Sequence, residues 1–205
     1  MKPGSRALGV AASDGDDEST LCGALVRADR VVDDCVFGRC TVGGTDATPA
    51  VAQLFSKLGR EDVQYLLLSG VAPAWFNLYD LQAIHETVER PVIAVSFETS
   101  EGLEPALSEH FSGNALDERL ATYRTLPPRR RVEVNGETRF VRAVGVDDAE
   151  AAEIVRGFTP EGGRPEPLRV ARLLARAGRE YGERVESIDV AADSDSDGDD
   201  ESTPN

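Results

Sequence analysis

The sequence predicts an α/β domain built on one mixed β-sheet, and three observations carry that reading. Val63–Leu68 (VQYLLL) and Val92–Phe97 are near-continuous apolar runs, the pattern of strands covered on both faces. Segments with apolar residues at helical spacing lie between and after them. A hairpin signal, Val132–Val134 and Thr138–Val144 around Asn135-Gly136, marks antiparallel pairing through a type I′ turn.

The elements follow in order. Arg6–Ala11 (RALGVA) reads as a short buried strand, followed by a polar loop, SDGDDEST. Leu21–Arg27 and Val31–Val42 are strand-like and close enough through Ala28-Asp29 to form a hairpin. Gly43-Gly44 breaks the pattern, and Thr45 or Asp46 is a candidate N-cap for a helix carrying Ala47, Val51, Leu54 and Leu58 on one face. The loop Ser69–Phe76 leads from the VQYLLL strand into a helix ending near Val88. Helices are expected at about Leu103–Phe111 and Ala115–Thr125, the second stopped by Pro127-Pro128. Asp147 with Glu150 resembles a capping box opening a helix to about Phe158. Pro165-Glu166-Pro167 opens a last helix to about Arg184. Residues 1–187 are therefore expected to form one domain, with an acidic disordered tail over 188–205 that lacks the apolar residues to offset its ordering entropy.

Charge constrains the setting. The 205 residues hold 37 acids against 22 bases, for a net charge of −15, and only Lys2 and Lys57 among the bases are Lys. A dispersed acidic excess with almost no Lys resembles the composition of haloarchaeal proteins, whose self-repulsion is screened at molar salt, and the alternative is an ordinary acidic cytosolic protein. In such a cell an acidic net charge does not argue against nucleic-acid binding. No apolar stretch is long enough to span a bilayer, and the N-terminus lacks a signal-type apolar region, so a cytoplasmic protein is expected. Cys22, Cys35 and Cys40 have no metal-ligand spacing with one another or with His85 and His110, and read as buried free thiols.

The stretches KPGSRALGV, CTVGGTDAT, LLLSGVAPAWFNLYDL and GGRPEPLRVARLLA occur in order from Lys2 to about Ala177. Together they resemble an archaeal family with a domain of unknown function that is similar to endonuclease V. The resemblance implies a ribonuclease H-like, endonuclease V-like mixed sheet with flanking helices and a small inserted hairpin. It also implies an activity: cleavage near deaminated purines, with Mg²⁺ or Mn²⁺ held by carboxylates at adjacent strand ends. The implied metal-anchoring aspartates fall on Ala11, after Gly9-Val10, and on Ser69, before Gly70. A further position, His or Asp in the last helix, falls on Arg172. None of the three is a metal ligand. Asp46 survives in the GTDAT stretch as an inherited site residue or as the helix N-cap.

Two other features point to nucleic acid. Arg169, Arg172, Arg176 and Arg179 step along one side of the last helix, where they are placed either to track phosphates or to pair with acids such as Glu166 and Glu180. Trp75 follows Ser69 at the strand's C-terminal edge, as a base-stacking platform or as packing under the loop. Arg129-Arg130-Arg131 reads as a solvated cluster.

Three functions stay open on the sequence. The first is a catalytically degenerate endonuclease V relative that retains a nucleic-acid surface and no metal site or cofactor. The second is an active nuclease using Mg²⁺ or Mn²⁺ on ligands displaced to Asp46 and the Asp14–Glu18 loop. The third is a non-catalytic scaffold or small-ligand protein.

Overall fold

In a computed structural model, residues 1–100 and 102–196 are described. Strands β1 (Arg6–Asp14), β2 (Glu18–Arg27) and β3 (Val32–Thr41) form an antiparallel meander, followed by α1 (Ala47–Leu58). Next come β4 (Tyr65–Ser69), a tight turn α2 (Pro73–Phe76), α3 (Leu81–Val88) and β5 (Val92–Ser96). Helices α4 (Glu104–His110) and α5 (Gly113–Thr125) precede the hairpin β6 (Arg130–Val134) and β7 (Glu137–Val144). Helices α6 (Asp148–Gly157) and α7 (Glu166–Ser196) complete the order. The seven strands form one sheet, β3-β2-β1-β4-β5-β7-β6, in which β1, β4 and β5 run parallel.

The pleat sorts the core into two layers. Leu8, Val10, Leu66 and Leu68 face α1 and α3, meeting Val51, Leu54, Leu81 and Ile84. Ala7, Leu67, Ile93 and Val95 face the other way, onto Ile154, Val155 and Phe158 around α6 and Leu168 of α7. Ala11 and Ala24 meet Val170 and Ala171 of α7 on that same side. Each fully buried Leu contributes about 2 kcal/mol. Gly9 permits the close seating of α7, because a Cβ there would lie 2.3 Å from the backbone carbonyl carbon of Pro167.

Several expectations are refined. The polar loop after the first strand shrinks to a turn, since β1 continues to Asp14 and pairs it with Ser19 of β2. Ser19 is fully buried and its hydroxyl donates to Asp14, which is why polar sequence extends the hairpin here. Cys22 and Cys40 are buried free thiols, but Cys35 is exposed, because alternate residues of the edge strand β3 face solvent. Helix α7 passes its expected end at Arg184 and runs to Ser196, so the helix takes in part of the segment expected as tail. The rest of that segment, 197–205, lies outside the described residues. Asp147 caps α6 by accepting from the Glu150 N–H at 2.8 Å.

Candidate nucleic-acid interface

Parallel pairing of β1 with β4 puts Val10 beside Leu68, so Ala11 and Ser69 stand one step further along, at neighbouring strand ends. Helix α7 packs across β1 and β2 and brings Arg172 over the same edge. Ala11, Asp14, Ser69, Trp75 and Arg172 all line one cavity of about 210 Å³. The three positions that the resemblance singled out are thus one site, although they are far apart in sequence.

The chemistry of that site is not a metal centre's. A hard divalent cation takes six or more oxygen ligands, several of them charged. Ala11 supplies no side-chain oxygen, Ser69 a neutral hydroxyl, and Arg172 a positive charge. Asp14 is the one carboxylate lining the cavity among the described residues, and it accepts from the Ser19 hydroxyl at 2.5 Å. Among the described residues no cluster of three His, Cys, Asp or Glu is placed to hold an ion. The residues present do not fit the metal that the fold implies.

Asp46 sits at the N-cap position of α1 without capping it by its side chain. Its carboxylate accepts instead from the Thr41 N–H, the Thr41 hydroxyl and Asn77 Nδ2. The capping acceptor is Asn77 Oδ1, 2.9 Å from the Ala47 N–H. Asn77 is fully buried, and nothing in its local sequence announces this role. Burial alone would raise the Asp46 pKa, but the hydrogen bonds from Asn77 and Thr41 outweigh it and hold the carboxyl below its ordinary value.

The arginine stripe divides. Arg169 pairs with Glu166 at 2.6 Å, Arg179 with Glu183 at 2.6 Å, and Arg176 reaches Glu180 at 4.0 Å. Exposed pairs of this kind are worth about 0.5 kcal/mol, little enough for a phosphate to compete for any of the three arginines. Arg169, Arg172 and Arg176 border a second cavity with Ser13 and Asp14, continuous in lining with the first through Arg172 and Asp14.

Trp75 does not pack inward. It is 48% exposed at the rim of the site. Its ring lies 5.2 Å from Phe111, 5.6 Å from His110 and 5.8 Å from Phe76. Ala74, Trp75 and Phe76 all take positive φ values, a strained run that only surrounding contacts sustain. One such contact is the Gly43 N–H donating to the Ala74 carbonyl at 2.7 Å. A Cβ on Gly43 would lie 2.7 Å from the Trp75 ring, so the Gly-Gly pair makes room for the platform. Arg119, nearly buried, closes the back of this assembly by donating to the Gly43 and Gly44 carbonyls and lying 3.9 Å over Phe111.

The expected solvated cluster also divides. Arg130 and Arg131 are exposed and pair with Asp148 and Glu133, whereas Arg129 is half-buried and lines a further cavity with Arg142, Arg164 and Arg172. Sequence reading missed Arg129, Arg142 and Arg164 because they lie on separate segments with no shared spacing.

Comparison with known proteins places this geometry. The family model described as endonuclease dU matches residues 3–178. The chain belongs to the endonuclease dU family. A UPF0215 protein of Pyrobaculum aerophilum is 33% identical over 168 residues, covering 81% of this chain and 89% of that protein. The crystal structure of a protein of unknown function from Archaeoglobus fulgidus superposes with a TM-score of 0.76 at 23% identity, over 84% of this chain and 97% of that one. Endonuclease V of Ciona intestinalis, in complex with a 24mer DNA containing an inosine followed by a ribo-adenosine, gives a TM-score of 0.57 at 15% identity, over 86% and 87% of the two chains. The fold is therefore the ribonuclease H-like fold of endonuclease V, and this endonuclease dU family member carries Ala11, Ser69 and Arg172 at its strand-end site.

Proposed function

We propose that this endonuclease dU family member binds nucleic acid at the C-terminal edge of β1 and β4 without metal-dependent hydrolysis. The observation that carries the reading is the convergence of Ala11, Ser69 and Arg172 on one cavity. A site that presents a guanidinium where a cation would sit favours a phosphate over Mg²⁺ or Mn²⁺. Hydrolysis on this fold needs charged oxygens to hold the ion against water and the scissile phosphate, and the lining offers Asp14 alone. Arg169, Arg172 and Arg176 track the backbone in this reading, and Trp75 offers an exposed ring face for a base. The likeness to Ciona endonuclease V, whose structure holds an inosine-containing DNA, supports nucleic acid as the ligand.

The test uses strands containing deoxyuridine or inosine, as DNA and as RNA, with Mg²⁺ or Mn²⁺ at salt where the chain is folded. Binding is expected by fluorescence anisotropy, weakened by Arg172→Glu with Arg176→Glu, with no strand cleavage on denaturing gels. Metal-dependent cleavage lost in Asp14→Asn or Asp46→Asn would overturn the reading in favour of a displaced metal site. Failure of every strand to bind would turn it toward a scaffold or small-ligand protein.

A further inference from the structure

We propose that the cavity at the C-terminal ends of β4 and β5 binds a phosphomonoester, the doubly charged phosphate that ends a nucleotide or a nucleic-acid strand. The inference rests in part on the proposed strand site, with which this cavity shares Ser69 and Arg172, and goes beyond it because the ligand needs no continuous strand.

Four guanidiniums line this space of about 360 Å³: Arg129 before β6, Arg142 on β7, Arg164 before α7 and Arg172 on α7. In a chain of net charge −15, Glu98 is the one acid lining it among the described residues. Neighbouring arginines are treated differently. Arg124, Arg130, Arg131 and Arg139 each have a carboxylate within ion-pair distance. The four cavity arginines have none among the described residues.

Three of the four are also held in place. The Arg129 guanidinium lies 3.8 Å over the Phe140 ring and donates to the carbonyls of Glu98 and Ser100 at 2.5 and 2.8 Å. Arg142 donates to the Pro127 carbonyl and to the Tyr123 hydroxyl, the latter at 3.2 Å. Arg164 lies 3.6 Å over Phe97, and its Nη1 is buried with no hydrogen-bond partner. Carbonyls and ring faces fix these planes without neutralising them, which is preorganisation for an anion. An unpaired buried guanidinium nitrogen is costly, so Arg164 keeps a donor that no described residue meets. Burial, followed by the Arg172 and Arg139 charges, lowers the Arg164 pKa, as expected of cations crowded without counter-charge.

The charge count selects the ligand. A phosphodiester brings one negative charge, whereas a phosphomonoester brings about two and a third terminal oxygen. Four guanidiniums around one space favour the more highly charged group, and forked donors match its oxygens.

The experiment is calorimetric titration of the full chain, folded in its stabilising salt, with inorganic phosphate, a nucleoside monophosphate and the matching nucleoside. A 5′-phosphorylated and a 5′-hydroxyl oligonucleotide complete the set and separate free nucleotide from strand end as the source. The phosphate-bearing probes should bind, and the nucleoside should not. Arg164→Gln should weaken that binding by about tenfold or more, the loss of a charge-assisted contact. Arg172→Gln, an exposed position, gives the same readout should Arg164→Gln fail to fold. Arg131→Gln, outside the cavity, should leave it unchanged. Absence of phosphomonoester binding, equal binding of the 5′-hydroxyl strand, or full retention in both cavity variants would overturn the proposal.

Discussion

The Asn77 side chain joins Asp46 to the start of α1: its Nδ2 lies 2.6 Å from Asp46 Oδ1, while its Oδ1 accepts from the Ala47 N–H. The same Nδ2 donates to the Thr41 carbonyl at 2.8 Å, so one buried amide ties the end of β3, the first turn of α1 and the segment after α2. Asp46 is thereby tied into the fold, and Thr41, Asp46 and Asn77 lie around Gly44, next to Gly43 and its contact with Trp75.

Asn77→Ala should destabilise the protein by roughly 2–4 kcal/mol, because it strands the Ala47 N–H and removes one of the donors to the Asp46 carboxylate. Chemical denaturation checks this. Thr41→Val, which removes one hydroxyl donor to Asp46, should cost about 1 kcal/mol. Equal losses from the two variants would contradict the hub role of Asn77.

The depressed Asp46 pKa has a definite sign. Its folded value lies below the ordinary 3.8, so its contribution is complete above the unfolded value and is lost as pH falls through the folded one. Asp46→Asn should therefore make stability against pH shallower below about pH 4, leaving the neutral-to-alkaline limb parallel to wild type. Asp62, Glu104, Glu133 and Glu166, also held low, keep part of the acid slope in the variant.

Ala11→Asp with Ser69→Asp restores two carboxylates at the paired strand ends. Mn²⁺ affinity measured by calorimetry should rise by roughly tenfold or more, and adding Arg172→Gln should raise it again by removing the opposing charge. No gain in the double variant would mean that the two positions do not converge as described.

The thiols should differ in reactivity. Burial pushes Cys22 and Cys40 up to about 12, leaving almost no thiolate at neutral pH, whereas Cys35 is exposed. A chromogenic disulfide reagent should titrate one thiol in the folded protein and three after unfolding. Cys35→Ser should abolish the folded-state reaction.

Salt should stabilise. At net −15, repulsion among the acids opposes compaction until it is screened, so the thermal midpoint should rise from tens of millimolar to molar KCl. A midpoint flat across that range would remove the haloarchaeal reading of the composition.

Local rules carry what is legible in the sequence. The apolar runs at Val63–Leu68 and Val92–Phe97 have the pattern of strands buried on both faces, Asn135-Gly136 is the signal of a tight hairpin turn, and the four ordered stretches carry the family resemblance. Backbone geometry and side-chain periodicity act over a few residues, so they are legible there. Tertiary structure decided the rest. It alone set the pairing of β1 with β4 that makes Ala11 and Ser69 neighbours, gave the α1 cap to Asn77 instead of Asp46, and turned Trp75 outward. It also gathered Arg129, Arg142, Arg164 and Arg172 into one cavity while their neighbours paired with acids. An arginine's role depends on which carboxylates and rings come within a few ångströms of it, and that proximity is created by chain crossings no local pattern records.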